Sequence, residues 1–289
     1  MGRLIENLNL ILLNVGFSEL NANWNWKNIN SPFARIYYVV GGEAKTYING
    51  KMHLLRPGYL YLTPPFTLHD DESDGFFSLY YIHFYEKTYN KESIFEKLDF
   101  PVEIEGDLLD SLLIERLLKI NPDRHLKYID PEMYDNIPTF SQYVADNNRL
   151  PTHSIIGTQG ILYQLISKFM ESAKLKLRYE DGRINQCLQY IHENTDKNVT
   201  LSQLANIACI TEDHLIRIFK REINCTPIRY INLKKMEKAQ LLLLTTELSI
   251  SDIALELSID NISYFNRLFK QYTNQTPGQY RNKRMDISI

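Results

Sequence analysis

The chain has 289 residues, 44% hydrophobic and 23% charged, with a formal net charge of -3. That length and apolar content can fill two hydrophobic cores, which excludes a disordered chain or a small disulfide scaffold, and no apolar run approaches the roughly 20 residues of a membrane span. The overall charge hides a division: residues 1–182 hold 18 Lys and Arg against 24 Asp and Glu, whereas residues 183–289 hold 14 against 11, so a polyanionic partner is expected at the C-terminal end.

Met1–Phe17 has its apolar residues broken by Glu6, Asn7, Asn9 and Asn14. It does not read as a signal peptide, and a soluble cytoplasmic protein with no membrane partner is expected. Short segments rich in Tyr, Val and Ile follow at 35–40, 45–49, 59–62 and 77–85, separated by Gly41-Gly42, Asn49-Gly50 and Pro57-Gly58. Branched and aromatic side chains favour extended backbone and these dipeptides turn it, so the first part is expected to be a small β-barrel or sandwich built from hairpins.

From Ile94 the pattern becomes helical. Leu108, Leu109, Leu112, Leu113 and Leu117 recur on one stripe, and Ile161, Leu162, Leu165, Ile166 and Phe169 on another within 155–177. These stripes carry more apolar surface than a short barrel needs, which predicts a homodimer. Residues 121–151 contain Pro122, Pro131, Pro138 and Pro151 and are expected to be irregular. The polar run 177–182 is read as a linker, giving domains 1–176 and 183–289.

The last part contains one unit twice. Residues 214–220 (HLIRIFK) align with 264–270 (YFNRLFK), and the match continues through Asn224 and Asn274, Thr226-Pro227 and Thr276-Pro277, and Tyr230 and Tyr280. Upstream, Leu201-Ser202, Leu204 and Ala205 match Ile250-Ser251, Ile253 and Ala254. Each copy reads as a short helix, a tight turn and a second helix: Thr200 with Gln203 forms a capping box, Thr211 caps the next helix, Ser249 caps its counterpart, and Asp260 or Asn261 the last. This is a helix-turn-helix, at about 200–221 and 249–271, whose second helix enters a major groove. With Leu215, Ile218, Phe219, Phe265, Leu268 and Phe269 turned inward, the outer faces hold Asp213, His214, Arg217 and Arg221, and Ser263, Asn266, Arg267 and Lys270. Arginine can grip guanine with two hydrogen bonds and asparagine can do so for adenine, so these faces suit base reading on double-stranded DNA. A helix from Pro227 to about Leu244, roughly 25 Å long, would hold the two apart.

Residues 183–284 resemble the C-terminal domain of AraC/XylS-type regulators, through the repeated pattern of Leu-Ser-x-Leu-Ala, Phe-Lys and Thr-Pro-x-x-Tyr on either side of a linker helix. The resemblance implies seven helices, tandem half-sites, activation through RNA polymerase, and a cupin-like N-terminal barrel that binds a small effector; the stretch 55–62 with Pro64, Pro65 and His69 is similar to part of that barrel. Cys209 and Ser258 stand where the family usually has glycine, and Lys235 where it often has arginine. For the effector, strand alternation brings forward Arg35, Tyr37, Tyr81 and His83, joined by Trp24, Trp26 and His69; aromatic faces with polar rims suit a sugar. His53, His69 and His83 are scattered without a His-x-His pair, and Cys187, Cys209 and Cys225 without a CxxC pair, so no metal, cofactor or catalysis is expected and the cysteines read as small core residues. The expected fold class is α+β, with a cupin-like β-barrel and trailing helices followed by an all-α double helix-turn-helix domain. Two other readings stay open: a first domain that only dimerises or binds a protein, and a cupin enzyme fused to a DNA-binding module.

Overall fold

The computed structural model describes residues 8–87, 93–134, 137–176 and 179–281. Two compact units are formed, one from 8–87 with 98–174 and one from 93–97 with 175–281. The first unit begins with eight strands: β1 (Leu10–Leu20), β2 (Asn25–Ile29), β3 (Ala34–Gly42), β4 (Ala44–Ile48), β5 (Lys51–Leu55), β6 (Tyr59–Thr63), β7 (His69–Glu72) and β8 (Phe77–Glu86). After α1 (Ile94–Lys97) come β9 (Leu98–Asp99), β10 (Glu103–Glu105), α2 (Leu108–Ile120), α3 (Pro131–Tyr134), α4 (Ile137–Arg149), α5 (Thr152–Ser172) and β11 (Lys174–Leu175).

Five strands form an antiparallel sheet in the order β1-β8-β3-β6-β10, and four form a second in the order β2-β7-β4-β5. Leu20, Trp24, Tyr37, Val39, Ala44, Leu55, Phe77 and Leu79, drawn from both sheets, make one buried cluster. The β-rich first part is therefore two open sheets with a shared core, an arrangement compatible with the expected cupin-like barrel. Two glycines permit close approaches within the five-stranded sheet. A Cβ on Gly16 would lie 2.2 Å from the Tyr81 hydroxyl, and one on Gly42, at φ +67°, would lie 2.0 Å from the Phe76 carbonyl oxygen.

The stretch 121–151 is not irregular throughout, because it holds α3 and α4. Pro131 opens α3, Pro138 stands in the first turn of α4, and Pro151 is the N-cap of α5. Proline lacks only an N–H that a first helical turn leaves unused, so here it marks helix starts. The helix expected over 155–177 ends at Ser172, and residues 174–175 are extended. In α2 the apolar stripe divides: Ile114 and Leu117 are fully buried, but Leu108, Leu109 and Leu112 are 75%, 59% and 51% exposed.

The second unit carries α6 (Gly182–Glu193), α7 (Leu201–Ile207), α8 (Glu212–Ile223), α9 (Pro227–Thr245), α10 (Ile250–Glu256), α11 (Ile262–Thr273) and α12 (Pro277–Arg281). From residue 182 onward these are the seven helices that the resemblance implies. Ile184, Cys187, Ile191, Leu204, Ala205, Leu215, Ile218, Phe219 and Ile231 form the core of its first half. Of the three cysteines, only Cys187 is buried; Cys209 is exposed and Cys225 half-buried. Residues 177 and 178 of the expected linker, and 282–289 of the expected C-terminal domain, lie outside the described residues.

Sequence analysis places α1 in the first domain, yet by its contacts it lies with the second unit. Glu96 accepts a hydrogen bond or ion pair from Lys234 Nζ at 3.0 Å, with His192 Nδ1 at 3.7 Å. Lys176 donates from its backbone to Lys97 O at 2.9 Å and from Nζ to Phe95 O at 2.7 Å. Burial disfavours the Lys234 ammonium, but Glu237 and Glu96 outweigh it and hold the group above the ordinary lysine range.

Candidate nucleic-acid interface and effector pocket

The two helix-turn-helix copies are built alike down to their caps. Thr200 and Gln203 form a capping box on α7, as do Ser249 and Asp252 on α10. Thr211 caps α8 and Asn261 caps α11, each side-chain oxygen accepting from a backbone N–H in the first turn. In both turns a non-glycine residue takes the left-handed conformation, Cys209 at φ +52° and Ser258 at φ +50°. The next residue closes each turn by donating to the first helix, Ile210 N to Ala205 O at 3.1 Å and Ile259 N to Ala254 O at 2.8 Å. Asn224 and Asn274, both at φ +60°, end α8 and α11; asparagine tolerates that conformation better than most side chains.

Leu215, Ile218 and Phe219 are buried in α8, and Phe265, Leu268 and Phe269 in α11. The residues singled out for base reading fall on the opposite sides. Asp213, Arg217 and Arg221 are exposed and His214 half-exposed on α8; Ser263, Arg267 and Lys270 are exposed and Asn266 half-exposed on α11. Arg217 Nη2 lies 3.0 Å from His214 Nδ1, and Arg221 Nη2 lies 2.6 Å from Glu222 Oε1. The faces differ in charge, since α8 carries three basic and three acidic residues whereas α11 carries Arg267 and Lys270 with no acid.

The first unit contains a recess lined by Ser18, Leu20, Trp24, Trp26, Tyr37, Asp71, Leu79, Tyr81, His83, Leu126, Ile129, Pro131 and Tyr134. About 370 Å³ of space outside atoms lies within it, part of it open to solvent. Five of the seven residues proposed for effector binding, Trp24, Trp26, Tyr37, Tyr81 and His83, are in this wall. Arg35 and His69 are not; both are buried, Arg35 donating from Nη2 to Ser31 Oγ at 2.6 Å and Tyr134 Oη at 3.4 Å, and His69 Nδ1 lying 2.8 Å from Thr67 O. Asp71 and Tyr134 are wall residues that sequence reasoning missed. The signal for Asp71 was the alternation His69, Asp71 along β7, a strand the sequence reading passed over.

Several buried polar atoms here have no hydrogen-bond partner: Trp26 Nε1, Asp71 Oδ1, His69 Nε2 and both ring nitrogens of His83. Buried polar groups are normally satisfied by protein or by ordered water, so this cluster has donors and acceptors that the protein itself does not use. Burial pushes the Asp71 carboxyl up to about 6, against the pull of Arg35. Burial, then Arg35, pushes His69 down to about 4, and the same two causes hold His83 well below the usual imidazole range. Near neutral pH the wall's Asp71 is therefore mainly a carboxylate with the Arg35 guanidinium in the buried layer behind it, and both imidazoles, His83 in the wall and His69 behind it, are uncharged. Among the described residues no group of three His, Cys, Asp or Glu side chains is placed to hold a metal ion.

A helix-turn-helix domain matches residues 204–283, and an AraC-like ligand binding domain matches residues 23–92. The chain belongs to the AraC family. The second match contains seven of the thirteen wall residues of the recess, and the first covers α8 and α11. An HTH-type transcriptional regulator of Staphylococcus aureus (strain COL) is 33% identical over 108 residues, 37% of this chain and 14% of that protein. An HTH-type transcriptional regulator of Haemophilus influenzae is 26% identical over 163 residues, 54% of each. Among solved structures, the C-terminal domain of the two-component response regulator yesN from Fusobacterium nucleatum is 37% identical, covers 35% of this chain and 98% of its own, and has a TM-score of 0.33. The chain thus matches only a seventh of the staphylococcal relative and about half of the Haemophilus one.

Proposed function

We propose that this AraC-family protein is a non-catalytic transcription regulator that reads tandem major-groove sites with α8 and α11 and answers to a small, uncharged polar effector held in the recess of the first unit. One observation carries the DNA-reading part. Two capped helices with matching inner apolar triplets present Arg217 and Arg267 in the same register on exposed faces. The 19 residues of α9 give a spacer of roughly 28 Å, close to the ~34 Å repeat of the duplex.

The balance of Asp71 in the wall against Arg35 in the buried layer behind it supports an uncharged guest, and the unpartnered donors and acceptors between aromatic faces support a sugar or similar polyol. The enclosed part of the recess holds little more than one water, so a sugar enters as the wall segment from Leu126 to Tyr134 opens. The exposed Leu108, Leu109 and Leu112 support α2 as the surface of a homodimer. The family resemblance supports activation through RNA polymerase in the cytoplasm.

The test has two parts. The full chain is used to select DNA from a random-sequence pool, with a defined pair of half-sites expected and an unselective pool counting against the reading. Thermal shifts across a library of sugars and other neutral polar metabolites then test the pocket, since a ligand at 100 times its Kd adds about 2.7 kcal/mol. A hydroxyl donates more strongly to a carboxylate than to a carboxylic acid, so affinity should fall as pH drops through about 6; a hit whose affinity ignores that range does not use the Asp71 carboxylate.

A further inference from the structure

The second helix-turn-helix is tied to the first half of its unit by more than α9. Ser258, in the turn between α10 and α11, donates from its hydroxyl to Asp196 O at 2.6 Å, across 62 residues of sequence. Asp196 lies between α6 and α7, in the first half. Beside it, the ammonium of Lys235, a buried residue of α9, donates to Leu257 O at 2.5 Å. Two adjacent residues of one turn are thus gripped from two directions. Among the described residues the equivalent turn in the first copy has no such clasp: the side chain of exposed Cys209 makes a contact within its own turn, Sγ to Asn206 O at 3.6 Å.

The backbone at Ser258 makes its side chain informative. At φ +50° any L residue is strained by about 1 kcal/mol or more and glycine is not. Serine here therefore costs conformational energy that its bond to Asp196 offsets. A lysine ammonium buried against a carbonyl is likewise costly to desolvate, and burial does push Lys235 below its ordinary range.

We infer that Ser258 and Lys235 are positioning residues that lock the turn before α11 to Asp196 of the first half and to α9 respectively, and so fix the separation of the two base sequences the protein accepts. The inference rests on the DNA-reading proposal above for its consequence, but not for the clasp itself. Without the clasp, α11 can pivot on the end of α9. With it, a base pair added or removed between half-sites cannot be absorbed by the protein.

The experiment compares the full chain with Ser258→Gly, which keeps the left-handed backbone, removes the strain and deletes the bond. The selected DNA is remade with one base pair inserted and one deleted between the half-sites. The unaltered chain should lose roughly tenfold or more in affinity on each altered spacing, and S258G should lose about threefold to tenfold less than that, the net worth of one hydrogen bond. Equal losses in both proteins overturn the inference. A second measurement needs no DNA: dipolar distance distributions between spin labels on noncanonical residues replacing Lys220 and Lys270 should broaden in S258G, and an unchanged width overturns the clasp. Should the selection return no sequence at all, the DNA-reading proposal fails while the distance measurement still decides the clasp. The unfolding midpoint separates positioning from stability, because relief of strain offsets the lost bond and should leave it within a few degrees.

Discussion

The two helix-turn-helix copies share a skeleton and differ in what they hold out to solvent. Both have a capped first helix, a left-handed turn, an inner face ending in a fully buried phenylalanine, and a left-handed asparagine. Phe219 meets Tyr230 edge-on at 5.8 Å, and Phe269 meets Tyr280 the same way at 5.4 Å. Outside, α8 balances its arginines with acids and orients Arg217 on His214, whereas α11 carries unopposed positive charge beside Ser263 and Asn266. The two copies thus keep the same core while their exposed faces differ, and the difference concerns charge more than shape.

The strongest check on the shared skeleton is Phe219→Ala against Phe269→Ala. Each should destabilise the second unit by about 3 to 5 kcal/mol, seen as an earlier loss of its structure in denaturant, and costs differing by more than a third would break the equivalence. The surfaces should then separate. Arg217→Ala and Arg267→Ala are each expected to weaken specific DNA binding by about 1 to 3 kcal/mol. Arg267→Ala should also weaken binding to random DNA and flatten the salt dependence by about one counterion, while Arg217→Ala leaves both nearly unchanged; titrations at two salt concentrations decide this. The smallest effect concerns the turns. Cys209→Gly should stabilise by up to about 1 kcal/mol by relieving a left-handed residue, whereas Ser258→Gly should gain little because a bond is lost with the strain. Equal gains in thermal midpoint would erase the distinction between the turns.

The double helix-turn-helix was legible because its information is local. Caps, inner apolar triplets, turn residues and Pro227 all lie within a few residues of the element they define, and the repeat displays each of them twice. The clasp was not legible, since Asp196 and Ser258 are 62 residues apart and nothing in the local pattern of either announces the other. In the first unit, alternation along β3 and β8 brought Tyr37, Tyr81 and His83 forward. It could not distinguish the recess wall from the buried layer that holds Arg35, because both lie on the inward face of the same strand. The misreading of 121–151 has a similar origin: proline was counted as a breaker where its position made it a starter, and Tyr134 was lost from the pocket with that segment.

The docking of α1 in the second unit carries a practical meaning for anyone cutting this protein into pieces. The DNA-reading unit is discontinuous, its Glu96 arriving from a stretch of chain some eighty residues before α6. A C-terminal fragment starting at the apparent boundary would lack Glu96 and leave Lys234 with Glu237 as its counter-charge among the described residues. Such a fragment is expected to be less stable than the same unit within the full chain, and a synthetic peptide spanning residues 93–97 is the piece to add back.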